Sequence, residues 1–461
     1  MNTEPNIEPN TEPNIESKLS DVATDIVNVP ARPGLRPVGL AAAVRLAAPW
    51  IALAIAFALL PVIFTSGSAL TMMSLMAIMI VFALSYNMLL GETGLLSFGH
   101  AVYYGLGGFL TVHAMNTVIH DRLPLPLFLM PLVGAFSGLM FGIIFGSVST
   151  RRAGTAFAMI SLGLGELVAS SSLILRGFFG GEEGISTNRT KLPHVFGLNF
   201  GPQIQVYYLI ACWCLLCMVA MYALRRTPFG RMCNAVRENA ERAQFVGYNP
   251  QAVRFIAFAL AGLFAGVAGA LAAINFELVN SSAVGAGQSG VVLLAAYIGG
   301  IGNFIGPVIG AILVTWLEVM LSDVTEVWQL YFGLLFIGVV MFAPNGIAGL
   351  LMMHAPLWRA GAYGPLRRLA LTYLIALLPA LVMLAGLIAM IEMIYHRSVK
   401  ASDGPAISLF HMTLDTTSAA PWIAAIALSA GGFLLFRRTW PLVGAAWHDA
   451  AVYAQAAAKS K

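Results

Sequence analysis

Long apolar runs recur along this chain, and they constrain its fold more than any other feature. The runs lie at about 46–64, 69–91, 94–115, 125–149, 153–175, 206–224, 253–275, 284–301, 304–322 and 327–342, followed by two more at about 369–391 and 421–436. Many of them approach the ~20 residues that a helix needs to cross ~30 Å of hydrocarbon. The sequence therefore predicts an all-α polytopic membrane protein with ten core spans and an added C-terminal pair.

Composition supports the same class. The chain is 59% hydrophobic and only 10% charged, whereas an ordinary soluble domain has roughly 25% charged residues. The positive residues are confined to a few loops and form no continuous basic face, which indicates membrane orientation and not nucleic-acid binding. Glycine-rich runs such as 94–108 and 284–301 are candidates for broken or re-entrant helices.

Three domains are expected. Residues 1–45 are polar and contain a near-perfect octad duplication, 2–9 followed by 10–17, and few apolar groups are available there to offset the entropy of ordering. We predict a disordered cytoplasmic tail, without the basic and then apolar order of a secretory signal. A membrane domain then covers 46–352, and 353–461 forms an extension with two transmembrane helices.

The positive residues predict the topology, because arginine and lysine concentrate in cytoplasmic loops. Counting the crossings puts every arginine-rich loop on one side: Arg32, Arg36 and Arg45, then Arg151 and Arg152, then the Arg225–Arg254 loop, then Arg359, Arg367 and Arg368, and finally Arg437 and Arg438. The segment 176–205 falls on the other side. We therefore expect both termini in the cytoplasm.

The Arg225–Arg254 loop interrupts two apolar blocks with six arginines and only two acids, Glu238 and Glu241. Thr227 is a suitable cap for a helix that starts at Pro228, and Gly247 is placed to end it. Apolar residues between them recur at helical spacing, and Glu238 precedes Arg242 by one turn. The pattern predicts a short amphipathic helix outside the bilayer, and it leaves open whether that helix lies in the headgroups or docks on a cytoplasmic partner.

Small residues recur at four-residue spacing in three places. The rows are Gly134, Gly138, Gly142 and Gly146; Gly302, Gly306 and Gly310; and Gly262 and Gly266. Such rows let neighbouring helices approach closely in lipid. They indicate packing and say nothing about the substrate.

Few ionisable groups lie within the predicted spans, where such groups are costly and usually face a partner or a water-filled path. Glu166, His100 and Glu318 are the candidates, with a structural hydrogen-bonding role as the alternative. Glu92 and Glu277 lie near the ends of predicted spans, where snorkelling or interface exposure explains them.

Three of the four cysteines lie within residues 212–217, but their apolar flanks favour small buried residues over a metal site.

Catalytic signatures are absent from the sequence. No glycine directly precedes a lysine, so a phosphate-binding Gly-x-x-x-x-Gly-Lys loop cannot be present. No metal-ligand spacing and no nucleophile elbow are found either. We therefore expect a protein that is not an enzyme, with no cofactor and no metal in this chain.

Several stretches together resemble one known family. Residues 87–108, from Asn87-Met-Leu-Leu-Gly-Glu-Thr-Gly-Leu-Leu-Ser-Phe-Gly-His100 onward, closely resemble the signature of branched-chain amino acid type ABC importer permeases, specifically the M-type subunit. Residues 157–185, 227–249, 297–310 and 341–350 agree with the same family in order and spacing. The resemblance covers about 46–352 and leaves the duplicated tail and the C-terminal pair outside it.

The resemblance implies the partners and the functional residues. It implies a bacterial inner-membrane permease that pairs with a sister membrane subunit, two cytoplasmic ATPases that bind the ATP, and a periplasmic binding protein. By the resemblance, coupling to the ATPase belongs to Arg231, Arg237, Glu238, Glu241, Arg242 and Gly247. The substrate pathway is expected near Asn87, Ser97, His100 and Glu166.

Three functional hypotheses follow. The leading one is an ABC importer permease for amino acids, branched-chain or other small amphipathic solutes. The second is a self-sufficient secondary transporter or channel in which Glu166, His100 and Glu318 relay protons or ions. The third is a structural membrane scaffold, which would show no solute flux with any partner.

Overall fold

A computed structural model describes residues 40–193, 197, 199–343, 345–359, 363–400, 402, 404–409 and 412–459. The predicted tail and its octad repeat lie almost entirely outside these residues. The helices are α1 Leu40–Ile63, α2 Gly67–Thr93, α3 Ala101–Asp121, α4 Met130–Ser149, α5 Thr155–Ile174, α6 Arg176–Phe179, α7 Gln203–Arg226, α8 Pro228–Glu238, α9 Ala240–Phe245, α10 Pro250–Phe276, α11 Ala286–Gly299, α12 Ile305–Val324, α13 Trp328–Phe342, α14 Gly346–Arg359, α15 Tyr363–Val399 and α16 Ala419–Lys459. Two antiparallel strand pairs join β1 Ile185–Ser186 to β2 Leu278–Val279, and β3 Ala406–Leu409 to β4 Met412–Asp415.

The predicted all-α polytopic class is confirmed. The described part of the chain contains eight helices that are long and apolar enough to cross a membrane, or up to nine if the bent pair α13 and α14 counts as one span. The glycine-rich runs, for which broken or re-entrant helices stay a prediction, contain less helix than the others. Residues 94–100 are not helical before α3 begins, and α11 has 14 residues, about 21 Å at 1.5 Å per residue, which is shorter than the hydrocarbon core.

The two C-terminal helices are longer than predicted. The apolar runs 369–391 and 421–436 lie within α15, of 37 residues, and α16, of 41 residues. Apolar runs mark only the part of a helix that suits hydrocarbon, and the arginines and alanines beyond Phe436 are good helix formers that extend α16 past that part. The two helices pack closely where Gly432 lies against the backbone of Met383.

The predicted small-residue packing is confirmed for α4 and α10. A Cβ atom on Gly138 would overlap the carbonyl oxygen of Gly262, and one on Gly134 would overlap that of Gly266. The backbones therefore touch, and only glycine permits this approach. In the third row, Gly306 and Gly310 meet the backbone of the α11 end in the same way, whereas Gly302 has open space around it.

Each end of the helix bundle carries different chain segments. One end, which we call the arginine end, carries the Arg225–Arg254 loop, and Arg151 lies beside Asn249 there around a shared cavity. At the opposite end, β1 pairs with β2 and thereby ties the segment 176–205 to the end of α10. Arg189 strengthens this link, because its guanidinium donates to the carbonyls of Ile274 and Asn275 at 3.1 and 3.0 Å.

Candidate functional site at the Arg225–Arg254 loop

The loop forms two short helices, so the prediction of one helix up to Gly247 is wrong. Thr227 caps α8 as expected, with its hydroxyl accepting the Gly230 N–H at 3.4 Å, and Pro228 occupies the first turn. The helix breaks at Asn239, whose backbone is extended and whose side chain accepts the Arg242 N–H at 2.8 Å to cap α9. A capping asparagine thus competes with helix continuation. Within the described residues no ion pair joins Glu238 to Arg242.

The predicted apolar face of α8 and α9 packs inside the protein. The cluster consists of Cys233, Val236, Ala243, Val253 and Ala257, with Phe229, Met232 and Ala240 against it. Its members come from the two short helices and from the first turns of α10. Burial raises the pKa of Cys233 to about 12, so its thiol stays protonated at neutral pH. The apolar face is therefore occupied by the protein's own α10.

A buried carboxylate fixes the loop to α2. Glu92, in the last turn of α2, is only 8% exposed. Its Oε1 lies 2.8 Å from Nε of Arg225, and its Oε2 accepts a hydrogen bond from the Asn234 amide at 2.9 Å. The sequence-based explanation of Glu92 as a snorkelling or interfacial residue is wrong. A carboxylate is unfavourable at a helix C-terminus, and these two donors compensate it.

Arg237 makes a second connection to the same helix end. Its guanidinium donates to the carbonyl of Gly91, one of the last-turn carbonyls that have no partner within a helix. A cation at this position also suits the helix dipole. We call Glu92, Arg225, Asn234 and Arg237 the anchor cluster. It ties the loop to the helix that leads into residues 94–100, which we call the signature segment.

The other side of the loop faces solvent. Of the residues predicted to couple to an ATPase, Arg231, Glu238, Glu241 and Arg242 are exposed. Gly247 ends the helical pair with φ +93, a backbone conformation that strongly favours glycine. Three apolar side chains at this tip escaped the sequence analysis, namely Phe245, Val246 and Tyr248, with exposures of 90%, 71% and 45%. The sequence does contain a signal for them, because they are large apolar residues in a charged loop and do not belong to the apolar face of its helix.

The signature segment is buried between α2 and α5. His100 is fully buried, with Nε2 3.0 Å from the Ser85 hydroxyl and its ring stacked on Phe82. The hydroxyl of Tyr86 donates to the carbonyl of Ser97 at 3.0 Å. Among the described residues, no hydrogen-bond partner is found for three buried polar atoms, namely Asn87 Oδ1, Ser97 Oγ and His100 Nδ1. The structure therefore brings three of the four predicted pathway residues into the interior of one region.

The fourth predicted pathway residue lies apart from them. Glu166 is exposed on the surface of α5, although the same helix contacts the signature segment where the Ser161 hydroxyl accepts the Phe98 N–H at 3.1 Å. Glu318 is partly buried on α12. Within the described residues no hydrogen bond joins any two of His100, Glu166 and Glu318, so the structure does not assemble these three groups into a chain.

Glu277, which the sequence places near a membrane interface, has a side chain that is 34% exposed and contacts Arg189. It has φ +56 at the end of α10, and its carboxylate accepts the Arg189 N–H at 2.8 Å. The Arg189 side chain lies 3.7 Å away.

Among the described residues no group of three His, Cys, Asp or Glu side chains could hold a metal, and Cys214, Cys217 and Cys233 are buried thiols.

The sequence of this chain is similar to those of known permease proteins. Residues 68–344, more than half of the chain, match the family described as "Branched-chain amino acid transport system / permease component". The Escherichia coli permease protein LivM of the high-affinity branched-chain amino acid transport system is 27% identical over 59% of this chain and 68% of LivM. BraD of Pseudomonas aeruginosa and LivH of Escherichia coli, permease proteins of the same kind of system, are each 24% identical over 58% of this chain and 90% of their own length.

No solved structure matches the chain significantly. The family match begins in α2 and ends just after α13, so it contains the signature segment, the anchor cluster and the exposed tip. It leaves α15 and α16 outside, as the sequence resemblance does. The apolar helices and the relatives together support a multi-pass protein of the bacterial inner membrane. The chain belongs to the permease family of branched-chain amino acid ABC transport systems, and its resemblance to LivM is that of an M-type member.

Proposed function

We propose that this chain is the membrane permease subunit of an ABC importer for amino acids, branched-chain or similar small amphipathic solutes. It would act with a sister permease, two cytoplasmic ATPases and a periplasmic binding protein. The observation that carries the proposal is the two-sided Arg225–Arg254 loop. One side is anchored to α2 and α10, and the other presents exposed side chains to the solvent.

The loop has the properties of a coupling element. A partner that moves the exposed tip also moves α8, because Ala243 of α9 packs in the same buried cluster as Cys233 and Val236 of α8. The anchor cluster passes the same displacement to Gly91 and Glu92. Packed interfaces of this kind transmit motion as rigid units. We infer that ATPase closure reaches the signature segment by this route.

Exposed apolar groups at the tip support a protein partner there. Large, exposed aromatic side chains next to charged residues are typical of interaction surfaces. Phe245 at the centre and Tyr248 beside it would enter a pocket of the ATPase, with Glu241 and Arg242 at the polar rim. Docking on a partner is thereby favoured over the headgroup placement that the sequence had left open.

A second exposed face supports a sister permease. Gly163, Glu166 and Ser170 lie on one exposed side of α5. A carboxylate facing hydrocarbon is costly, and small residues allow a neighbouring helix to approach closely. We propose that a helix of the sister subunit covers this face and supplies a polar partner to Glu166.

A solute path is supported by a cavity of about 350 Å³ at the opposite end, between α3, the end of α10 and the start of α11. Its size falls in the range of small-ligand pockets. Tyr104, Asn280, Ser282 and Gln288 supply neutral hydrogen-bonding groups, and small residues form much of the remaining wall. Such a lining suits a small zwitterion that must be released again.

The self-sufficient transporter needs a connected relay, and the described contacts of His100, Glu166 and Glu318 do not support one. The deciding experiment measures uptake in proteoliposomes that contain this chain with its sister permease, the binding protein and the ATPases. We expect uptake to require ATP and both ATPases, and to be lost in Gly247→Val and Glu241→Lys variants that still insert. Uptake at full rate without the ATPases would refute the proposal, and uptake that a protonophore abolishes at constant ATP would establish the alternative.

A further inference from the structure

A large, laterally open cavity of about 1210 Å³ lies between the C-terminal extension and the family domain. One wall consists of α12 and α13, and the other consists of α15 with β3. The cavity lies outside every site described above, and α15 lies beyond the family match. Its volume exceeds the roughly 300–1,000 Å³ of typical small-molecule pockets.

The two walls are joined at one end by hydrogen bonds and an ion pair. Glu392 of α15 is buried and accepts hydrogen bonds from Thr325 at 2.6 Å and Tyr331 at 2.9 Å. In the opposite direction, Glu326 accepts from the Tyr395 hydroxyl at 2.7 Å and pairs with Lys400 at 2.8 Å. We call these residues the polar clasp. It lies at the opposite end of the bundle from the arginine end.

Beyond the clasp both walls are apolar and stand apart. Leu334 of α13 is 51% exposed, and Leu384 and Leu387 of α15 are 48% and 39% exposed, although all three line the cavity. Gly338 also lines it, and the described part of the chain leaves open space where a side chain at this position would lie. An apolar space of this size between membrane helices is filled by hydrocarbon, because an empty one forfeits the dispersion contacts of its lining.

The charge at the clasp selects the polar end of the occupant. Among the residues that line the cavity, Asp323, Glu326 and Glu392 are acidic, Lys400 is basic, and the Nε2 of His396 lies 2.8 Å from the carbonyl oxygen of Gly404. The Lys400 hydrogen bond holds the pKa of Glu326 below its usual range, so this carboxylate is ionised at neutral pH. With an excess of two carboxylates, the end of the cavity favours a positively charged group.

The geometry points to a phospholipid with an amine head group, whose acyl chains lie between α13 and α15 and whose ammonium group faces the clasp carboxylates. A transmembrane helix of another protein fits the apolar walls less well. Such a helix would continue past the end of the cavity, and the polar clasp closes that end between Glu326 and Glu392. A phospholipid enters from the side, with its head group at the clasp and its acyl chains running from there along the apolar walls.

The test supplies the full-length protein with vesicles of equal parts phosphatidylethanolamine and phosphatidylglycerol, purifies it in a mild detergent and counts the retained lipids by native mass spectrometry. We expect about one phosphatidylethanolamine per chain, and at least about fivefold less in Gly338→Trp, which places a large side chain in the space of the acyl chains. The matched control is Gly333→Trp on the same helix, which is exposed and does not line the cavity. It should retain the lipid.

Two further measurements keep the proposal falsifiable if Gly338→Trp fails to fold. The double variant Glu326→Gln with Glu392→Gln should lose the preference for the amine head group, because the remaining carboxylate of Asp323 is balanced by Lys400. A photoactivatable phosphatidylethanolamine should label wild-type peptides that contain Leu384 or Leu387. Equal retention of the two lipids by the wild type, labelling confined to other faces, or a co-purifying protein crosslinked at Leu387 in place of lipid would overturn the proposal.

Discussion

Removal of the Glu92 carboxylate is the most informative single perturbation of the proposed coupling route. The Glu92 side chain is 11% exposed and that of Arg225 is 31% exposed, so their ion pair lies between a surface pair, which contributes ~0–1 kcal/mol, and a buried pair, whose disruption costs ~3–5 kcal/mol. Water reaches Arg225 in the variant and reduces the cost. The Asn234 hydrogen bond to a charged acceptor adds ~1.5–3 kcal/mol.

Part of this loss is recovered, because an acidic residue no longer opposes the dipole at the end of α2, a term of ~0.3–1 kcal/mol. We therefore expect Glu92→Ala to weaken the attachment of the loop by about 2 kcal/mol, a shift of about 30-fold in the ratio of anchored to detached loop. Glu92→Gln keeps an acceptor for Asn234, so about 1 kcal/mol is expected, or about fivefold. The fold itself should persist, since the apolar cluster around Val253 is unchanged.

The assay measures solute transported per ATP hydrolysed by the reconstituted complex, together with the thermal stability of the permease. The complex with Glu92→Ala should continue to hydrolyse ATP while its transport rate falls. The transport rate of Glu92→Gln should lie between those of Glu92→Ala and the wild type. Arg226→Ala is the matched control. Arg226 is exposed, and its guanidinium lies over the Tyr222 ring, 4.5 Å from the ring centroid, and not against Glu92. Normal coupling in Glu92→Ala, or an equal defect in Arg226→Ala, would refute the reasoning.

Two further outcomes are expected. Gly138→Val should reduce thermal stability by about 1–3 kcal/mol or prevent folding, because the new side chain meets the backbone of Gly262. Gly163→Ala should be neutral in the same thermal scan, because Gly163 has open space around it. Phe245→Ser should weaken co-purification with the ATPase without changing insertion. Unaltered stability of the first variant or unaltered binding of the second would count against the assigned contacts.

The sequence by itself determined the class of the protein and many of its local features. Apolar runs identified nearly all the long helices, because burial in hydrocarbon depends on residue type along one helix. The Thr227 cap, the Pro228 start and the close approach of Gly138 were equally predictable, since capping and small-residue packing have local signatures. The coupling residues came from the family resemblance, and their role stays a prediction.

Other local features required more than the periodic pattern. The break at Asn239 was missed because an asparagine inside an amphipathic pattern either continues the helix or caps the next one, and the packing of α9 beside Val253 favours the second. The ends of α15 and α16 were missed because hydropathy follows the hydrocarbon boundary, whereas helices continue in water when their residues allow it.

Only the tertiary structure decided which distant groups meet. Glu92 and Asn234 are 142 positions apart, so no spacing rule links them, and Glu92 alone looked like a residue at a membrane boundary. Glu392 and Tyr331 meet across the extension in the same way. A side chain's cap or helical face depends on neighbours within a turn or two, but its long-range partner depends on how whole helices pack, and that is fixed by the sum of many small contacts throughout the bundle.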